Sequence, residues 1–203
     1  GRFTLSTVEC LCACEAGPVA QLNDRYVGPL TPELIDALVR DPESLPATPL
    51  LFQGTVGLVE PVLSKRFSYR DSETIETYLR DDGYQASRKA LTELTPDQVI
   101  AEVTKSNLRG LGGAGFPTGK KWGFIPKESP KPKFLVVNAD EGEPGTIKDR
   151  YIIAKDPHRL IEGMIIAAYA TGCRKAYVYI RGEYVQPARI LQQAIDDAYK
   201  YGF

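Results

Sequence analysis

Hydrophobic positions recur along the chain at two spacings, and these set its elements. Leu34, Ile35, Leu38 and Val39 follow helical spacing behind Thr31-Pro32-Glu33, where threonine can cap and proline can take the first helical position. Helical spacing also predicts helices over Glu73 to Leu79 and Tyr84 to Leu94. Another opens at Thr95-Pro96-Asp97 and places Val99, Ile100 and Val103 on one face. Lys133 to Asn138 (KFLVVN) is a short valine-rich run of the kind that forms a buried strand. Residues 157–171 predict a helix with Leu160, Ile161, Met164, Ile165 and Ala168 inward. Ala176 to Ile180 predicts a second strand, and Pro187 to Lys200 a last helix with Ile190, Leu191, Ala194 and Ile195 on one side. Strand, loop, helix, strand, helix implies a parallel α/β unit.

Earlier in the chain, alternation over residues 2–9 and 18–23 predicts short strands, with Gly17-Pro18 as a turn. Residues 41–62 carry Pro42, Pro46, Pro49 and Pro61 with little periodicity, which predicts a linker between two units.

Two segments between the predicted elements carry chemistry. The first is RGLGGAGFPTGKKW, Arg109 to Trp122. Gly110, Gly112 and Gly115 match G-x-G-x-x-G, but a dinucleotide fingerprint needs a strand before it, and here a helix precedes. What survives is the physics of the loop. Glycines strip away side chains, so backbone N–H groups can approach a phosphate. Lys120 and Lys121 can neutralise it. Phe116, Trp122 and Phe124 can wall a flat ring. The bland alternative is a surface loop whose aromatics belong to the core. The second segment, NADEGEPGTIKDR, follows the first predicted strand, where α/β sheets bind ligands. Asn138, Asp140, Glu141 and Glu143 offer acceptors for ribose hydroxyls or ring N–H groups. They could equally form a solvated turn, or acid/base carboxylates of a hydrolase.

These two segments, followed by YIRGEY at Tyr179 to Tyr184, resemble the NADH-binding flavoprotein subunit of respiratory complex I. The same module occurs in NAD-reducing hydrogenases and NAD-dependent formate dehydrogenases. The resemblance spans about Pro61 to Phe203. It implies a Rossmann-like α/β domain that binds FMN with NADH above it, passing hydride to flavin and single electrons to iron–sulfur centres; the alternative is a truncated, non-catalytic interaction module that keeps the fold without bound cofactor. Carried over by position, Gly110, Gly112, Gly113, Gly115, Lys121, Asn138 and Asp140 would hold FMN. Phe116 and Phe124 would stack on NADH, and Glu141 and Glu143 would line the nucleotide. Glu183 would meet the adenosine ribose and disfavour a 2′-phosphate. Leu111 stands where the family usually has arginine.

Cys10, Cys12 and Cys14 cluster within five residues, too close for an ordinary disulfide framework and better suited to metal ligation. VECLCACEAGPV resembles the end of the thioredoxin-like 2Fe-2S ferredoxin that partners this flavoprotein. Its C-x3-C pair falls on Cys10 and Cys14. Residue 12 is usually glycine there, so Cys12 is either a spare thiol or an alternative ligand. The family's other cysteine pair lies upstream of this chain, and its 4Fe-4S domain lies downstream of Phe203. Cys173 reads as a packing residue. The expected organisation is a ferredoxin-like end at 1–40, a linker at 41–60, and an incomplete FMN/NADH-binding α/β domain at 61–203.

Composition narrows the field further. The chain has 203 residues, 43% hydrophobic and 25% charged, with a net charge of −1. That balance gives no bulk attraction for nucleic acid, and no apolar run is long enough to insert in a membrane. The start is not a signal peptide, and lacking Met it reads as a piece of a longer chain. The expected partners are NADH and iron–sulfur subunits of one complex. The expected location is the cytoplasm, peripheral on the inner membrane face through a larger complex. His158, the single histidine, reads as a surface or capping residue.

Overall fold

A computed structural model describes residues 3–48 and 61–203. In chain order the elements are a 3-10 turn at Cys14–Ala16, β1 Ala20–Leu22, β2 Arg25–Val27, α1 Pro32–Arg40, α2 Ile75–Arg80, α3 Gln85–Glu93 and α4 Pro96–Lys105. There follow α5 Thr118–Gly123, β3 Phe134–Ala139, α6 Lys148–Lys155, α7 Pro157–Thr171, β4 Lys175–Ile180 and α8 Val185–Lys200. The chain divides into two compact units. One takes residues 1–72, 139–156 and 180–193; the other takes 73–138, 157–179 and 194–203. The division falls before the last residue of β3 and of β4, and after Gln193 in α8.

In the first unit, β1 and β2 form an antiparallel hairpin with Gln21 opposite Tyr26. Asn23 supplies the left-handed turn residue at φ 55°. The hairpin is braced by the segment after α1. Thr48 N–H donates to the Tyr26 carbonyl at 2.8 Å, and its hydroxyl exchanges bonds with Gly28 at 2.8 and 2.9 Å. The Arg25 guanidinium donates to the Leu45 carbonyl at 3.1 Å. The predicted 41–62 linker is therefore tied to the hairpin through its first residues; 49–60 lie outside the described residues. The strand predicted over 2–9 does not form in residues 3–9: alternation is present, but no strand among the described residues pairs with it. Thr31 caps α1 through its hydroxyl as its sequence signals. Arg66 and Asp156 form a fully buried ion pair at 3.2 Å.

In the second unit α4 packs on α5 and α7, and α3 on α7. Ala90, Val99 and Ala170 form the centre, with Leu94, Ile100, Trp122, Ile166 and Tyr169 around it. Thr95 and Gln98 make a reciprocal capping box at the start of α4. Glu162 of α7 is buried and caps α3. It accepts from the backbone N–H groups of Tyr84 at 3.1 Å and Ser87 at 2.9 Å, and from the Tyr78 hydroxyl. His158 is buried too, with Nδ1 2.8 Å from the Tyr84 hydroxyl. It is thus a core residue and not a surface one, because α7 turns its first residues inward.

β3 and β4 are hydrogen-bonded neighbours with α6 and α7 between them in sequence, which is the strand–helix–strand order expected. The valine-rich run is not fully buried. Phe134, Val136, Tyr177 and Tyr179 form an exposed row, while the alternate residues turn inward. A two-stranded sheet has only one face covered here, so period-2 alternation replaces the continuous burial expected.

Candidate functional site

The predicted site residues fall in both units, and each group has its own local architecture. In the second unit, the glycine-rich segment leaves α4 through Asn107, at φ 55°, and closes on itself. Arg109 pairs antiparallel with Pro117 as an isolated bridge. Gly110 N–H donates to the Phe116 carbonyl at 2.9 Å, and Thr118 N–H to the Leu108 carbonyl at 2.8 Å. The Arg109 guanidinium braces the loop interior by donating to the Gly115 carbonyl at 3.1 Å. Gly113 at φ 109° and Gly115 at φ 61° adopt backbone that side chains disfavour. A β-carbon on Gly112, Gly113 or Gly115 would meet nothing within 4 Å. The loop is therefore a glycine cradle with empty space beside it. Lys121, Leu111 and Gly110 are exposed. Phe116 and Phe124 are exposed as well, with ring centroids 6.1 Å apart, and Lys120 Nζ stands 6.0 Å from the Phe116 ring.

Gly119 has a different task. A β-carbon there would lie 2.2 Å from the Thr104 hydroxyl oxygen and 2.6 Å from its backbone nitrogen. It lets α5 approach α4, and this contact makes Thr118–Gly123 helical despite two glycines in six residues. Asn138, on β3, is exposed.

In the first unit, the acidic loop turns inward at Glu141. Its backbone is left-handed at φ 46° and its side chain is buried. Glu141 Oε1 accepts from Asp149 N–H at 2.6 Å. Oε2 accepts from Arg150 N–H at 2.9 Å and from the Tyr184 hydroxyl at 2.6 Å. Three donors on one carboxylate at a helix N-terminus make Glu141 the cap of α6, which has no local side-chain cap. The sequence reads as loop throughout this stretch, because the capping residue stands well before the helix it serves. Burial pushes the Tyr184 hydroxyl up, with Cys12 and Glu141 adding to it. Asp140 is half-buried and Glu143 exposed.

Arg181 of RGEY joins these parts, although the motif alone assigns it no role. Its Nε pairs with Glu183 at 2.9 Å. Nη1 donates to the Glu141 carbonyl at 3.1 Å and lies 3.4 Å from Cys12 Sγ. Nη2 donates to the Cys10 carbonyl at 2.9 Å. The Arg181 guanidinium holds the Glu183 carboxyl below the usual carboxylate range. An arginine beside a motif carboxylate is the signal that points to it. Arg150 is buried against Glu15 at 2.5 Å, with its guanidinium 4.9 Å from the Tyr151 ring.

The cysteine loop thus sits with Glu141, Glu183 and Arg181. Cys10 is half-buried, Cys12 buried and Cys14 exposed. Hydrogen bonds from the Gly145 and Cys12 amides hold the Cys10 thiol down, whereas burial pushes the Cys12 thiol up. Among the described residues, no group of three or more His, Cys, Asp or Glu side chains converges as a metal site. No described helix is long and apolar enough to cross a membrane.

Residues 103–202 match the Nuo51 FMN-binding domain model, and residues 1–43 match the thioredoxin-like 2Fe-2S ferredoxin model. The chain is 56% identical over 146 residues to an F subunit of the NADH-quinone oxidoreductase of Rhizobium meliloti (strain 1021), covering 72% of this chain and 35% of that protein. It is 51% identical over 160 residues to the F subunit of the NADH-quinone oxidoreductase of Aquifex aeolicus (strain VF5), covering 79% and 36%. Among solved structures it is similar to NAD+-reducing NiFe-hydrogenase in the air-oxidized state, with TM-score 0.69 and 31% identity. That match covers 93% of this chain and 32% of the hydrogenase chain. The chain spans about a third of the length of these relatives. The match over nearly its whole length supports the expected fold class, an α/β FMN-binding module preceded by the end of a thioredoxin-like ferredoxin. Residues 103–202 of this chain are thus similar to the Nuo51 FMN-binding domain family, and residues 1–43 to the thioredoxin-like 2Fe-2S ferredoxin family.

Proposed function

We propose that this chain is part of an NADH-oxidising flavoprotein within a multi-subunit complex. Bound FMN would accept hydride from NADH and release electrons singly to iron–sulfur centres. The observation that carries this is the open glycine cradle at 110–115 inside the FMN-binding family match. Side-chain-free backbone suits close approach of a phosphate or flat ring, and the space is there to receive it.

In this reading Gly110, Gly112, Gly113 and Gly115 bind FMN with Lys121, Asn138 and Asp140. Phe116 and Phe124 offer aromatic faces to NADH, and Glu143 and Glu183 its polar contacts. Glu141 acts differently from the expectation of direct contact: it orients the loop by capping α6 and fixing Tyr184. With both oxygens engaged, it is poorly placed to serve as the acid or base of a hydrolase. Cys10 and Cys14 serve the ferredoxin-like part as thiolate ligands. The ferredoxin-like segment ends near residue 40 and the flavoprotein domain begins near residue 61. The partners are iron–sulfur subunits of the same complex, on the cytoplasmic side.

The test uses the full-length protein. Flavin absorption bands should bleach on NADH addition. Gly112→Val should abolish FMN binding while the melting temperature of the flavin-free protein stays within about 2 °C, since a β-carbon there meets no protein atom within 4 Å. Stoichiometric FMN in Gly112→Val would refute the cradle.

A further inference from the structure

The segment before α1 holds the RGEY turn through its backbone and its hairpin. Arg181 Nε donates to Glu183 Oε2 at 2.9 Å, and Nη2 donates to the Cys10 carbonyl at 2.9 Å. One guanidinium, with its fixed fork of donors, thus spans the motif carboxylate and the first segment. Gln21, on β1, reaches the same turn. Its Nε2 donates to the Glu183 carbonyl at 3.3 Å and to the Asn23 carbonyl at 3.2 Å. The Asp24–Arg189 ion pair at 2.5 Å ties the tip of the hairpin to α8, the helix that follows RGEY. Glu183 is therefore fixed twice, its carboxylate by Arg181 and its carbonyl by Gln21. Its side chain still exposes 27% of its surface. A carboxylate with Oε2 engaged can accept a ligand hydroxyl on Oε1.

We infer that the first segment sets nucleotide specificity without touching the nucleotide: Arg181 and Gln21 are positioning residues that hold the Glu183 carboxylate where it meets the adenosine ribose. The inference rests on the reading of Glu183 as a polar contact of NADH. A carboxylate tells a 2′-hydroxyl from a 2′-phosphate by accepting from the first and repelling the second, and both effects depend on its position. Held loosely, it can swing away from a phosphate and lose both. The charge of Arg181 alone works in the opposite direction. A cation beside the ribose attracts a 2′-phosphate, so removing it would sharpen discrimination if charge were its contribution. Positioning and charge thus give opposite signs for one substitution.

The test measures binding of ADP-ribose and of its 2′-phosphate to the full-length protein by titration calorimetry. Neither ligand carries nicotinamide, so no hydride moves. Wild-type protein should favour ADP-ribose. Arg181→Gln should lower that preference about tenfold and Gln21→Leu about threefold, the worth of one charged and one neutral hydrogen bond. In a Glu183→Gln background neither substitution should change the preference further. Gln21 is half-buried on a hairpin strand, so its variant decides the matter even if Arg181→Gln fails to fold. An unchanged or raised preference in either variant overturns the inference, as does a further change in the Glu183→Gln background. Equal loss of affinity for both ligands marks a merely structural tie and overturns it too. Wild-type protein that does not favour ADP-ribose, yet whose flavin NADH bleaches, overturns the inference and leaves the NADH-oxidising function standing; without bleaching, both fall.

Discussion

In the glycine-rich loop, β-carbons at Gly112, Gly113 and Gly115 would face no protein atom within 4 Å. In the acidic loop, both oxygens of Glu141 are already taken by two amides and a phenol. One segment leaves space around bare backbone. The other has committed its central charge to starting a helix and fixing a tyrosine. A motif residue can therefore serve a ligand site from behind. Glu162 in the second unit underlines this, because it uses the same device. It too accepts two backbone amides and a tyrosine hydroxyl, in a helix that carries no ligand motif.

The contrast is most vulnerable at the two carboxylates. Removing either leaves buried donors without an acceptor. Glu141→Ala and Glu162→Ala should each cost about 3 kcal/mol of stability, read by urea denaturation of the full-length protein. If Glu141→Ala lost NADH binding with stability unchanged, Glu141 would face the ligand after all.

A smaller effect separates the glycines by task. Gly119→Ala should cost about 1–3 kcal/mol, because its β-carbon would meet the Thr104 backbone at 2.6 Å. Gly112→Ala should cost less than about 0.5 kcal/mol, since nothing is near it. Equal melting temperatures for the two variants would contradict the packing role of Gly119.

The smallest effect concerns Glu183. Its carboxyl is held below the usual range by Arg181, so the pair adds stability above the unfolded carboxylate pKa of about 4.3. That increment is lost as pH falls through the folded value. Glu183→Gln should therefore lower stability by under about 1 kcal/mol at pH 7, with the two proteins converging as pH falls below the carboxylate range. Under the proposed NADH-oxidising function, the same variant should relax discrimination against NADPH. Parallel stability curves through the acid range would remove the ion pair from the account.

Helices with their caps in sequence were legible: Thr31 and Thr95 each announce a helix that forms, and Gln98 completes the second cap. α5 and α6 were not. The first contains two glycines and depends on a close approach to Thr104; the second is capped by a residue on another segment. Neither cause leaves a local periodic trace. The alternation in residues 3–9 had the trace but lacked a partner strand. In the candidate site the motif residues could be named from sequence, whereas the inward turn of Glu141 depends on one left-handed backbone angle. Arg181 stood inside a motif, yet its span from Glu183 to the cysteine loop required the fold.

The row of Phe134, Val136, Tyr177 and Tyr179 bears on how the chain behaves in solution. Apolar and aromatic side chains line one side of a short sheet whose outer edges have no partner strand among the described residues. Such a surface is adhesive. This polypeptide is expected to self-associate as it is concentrated.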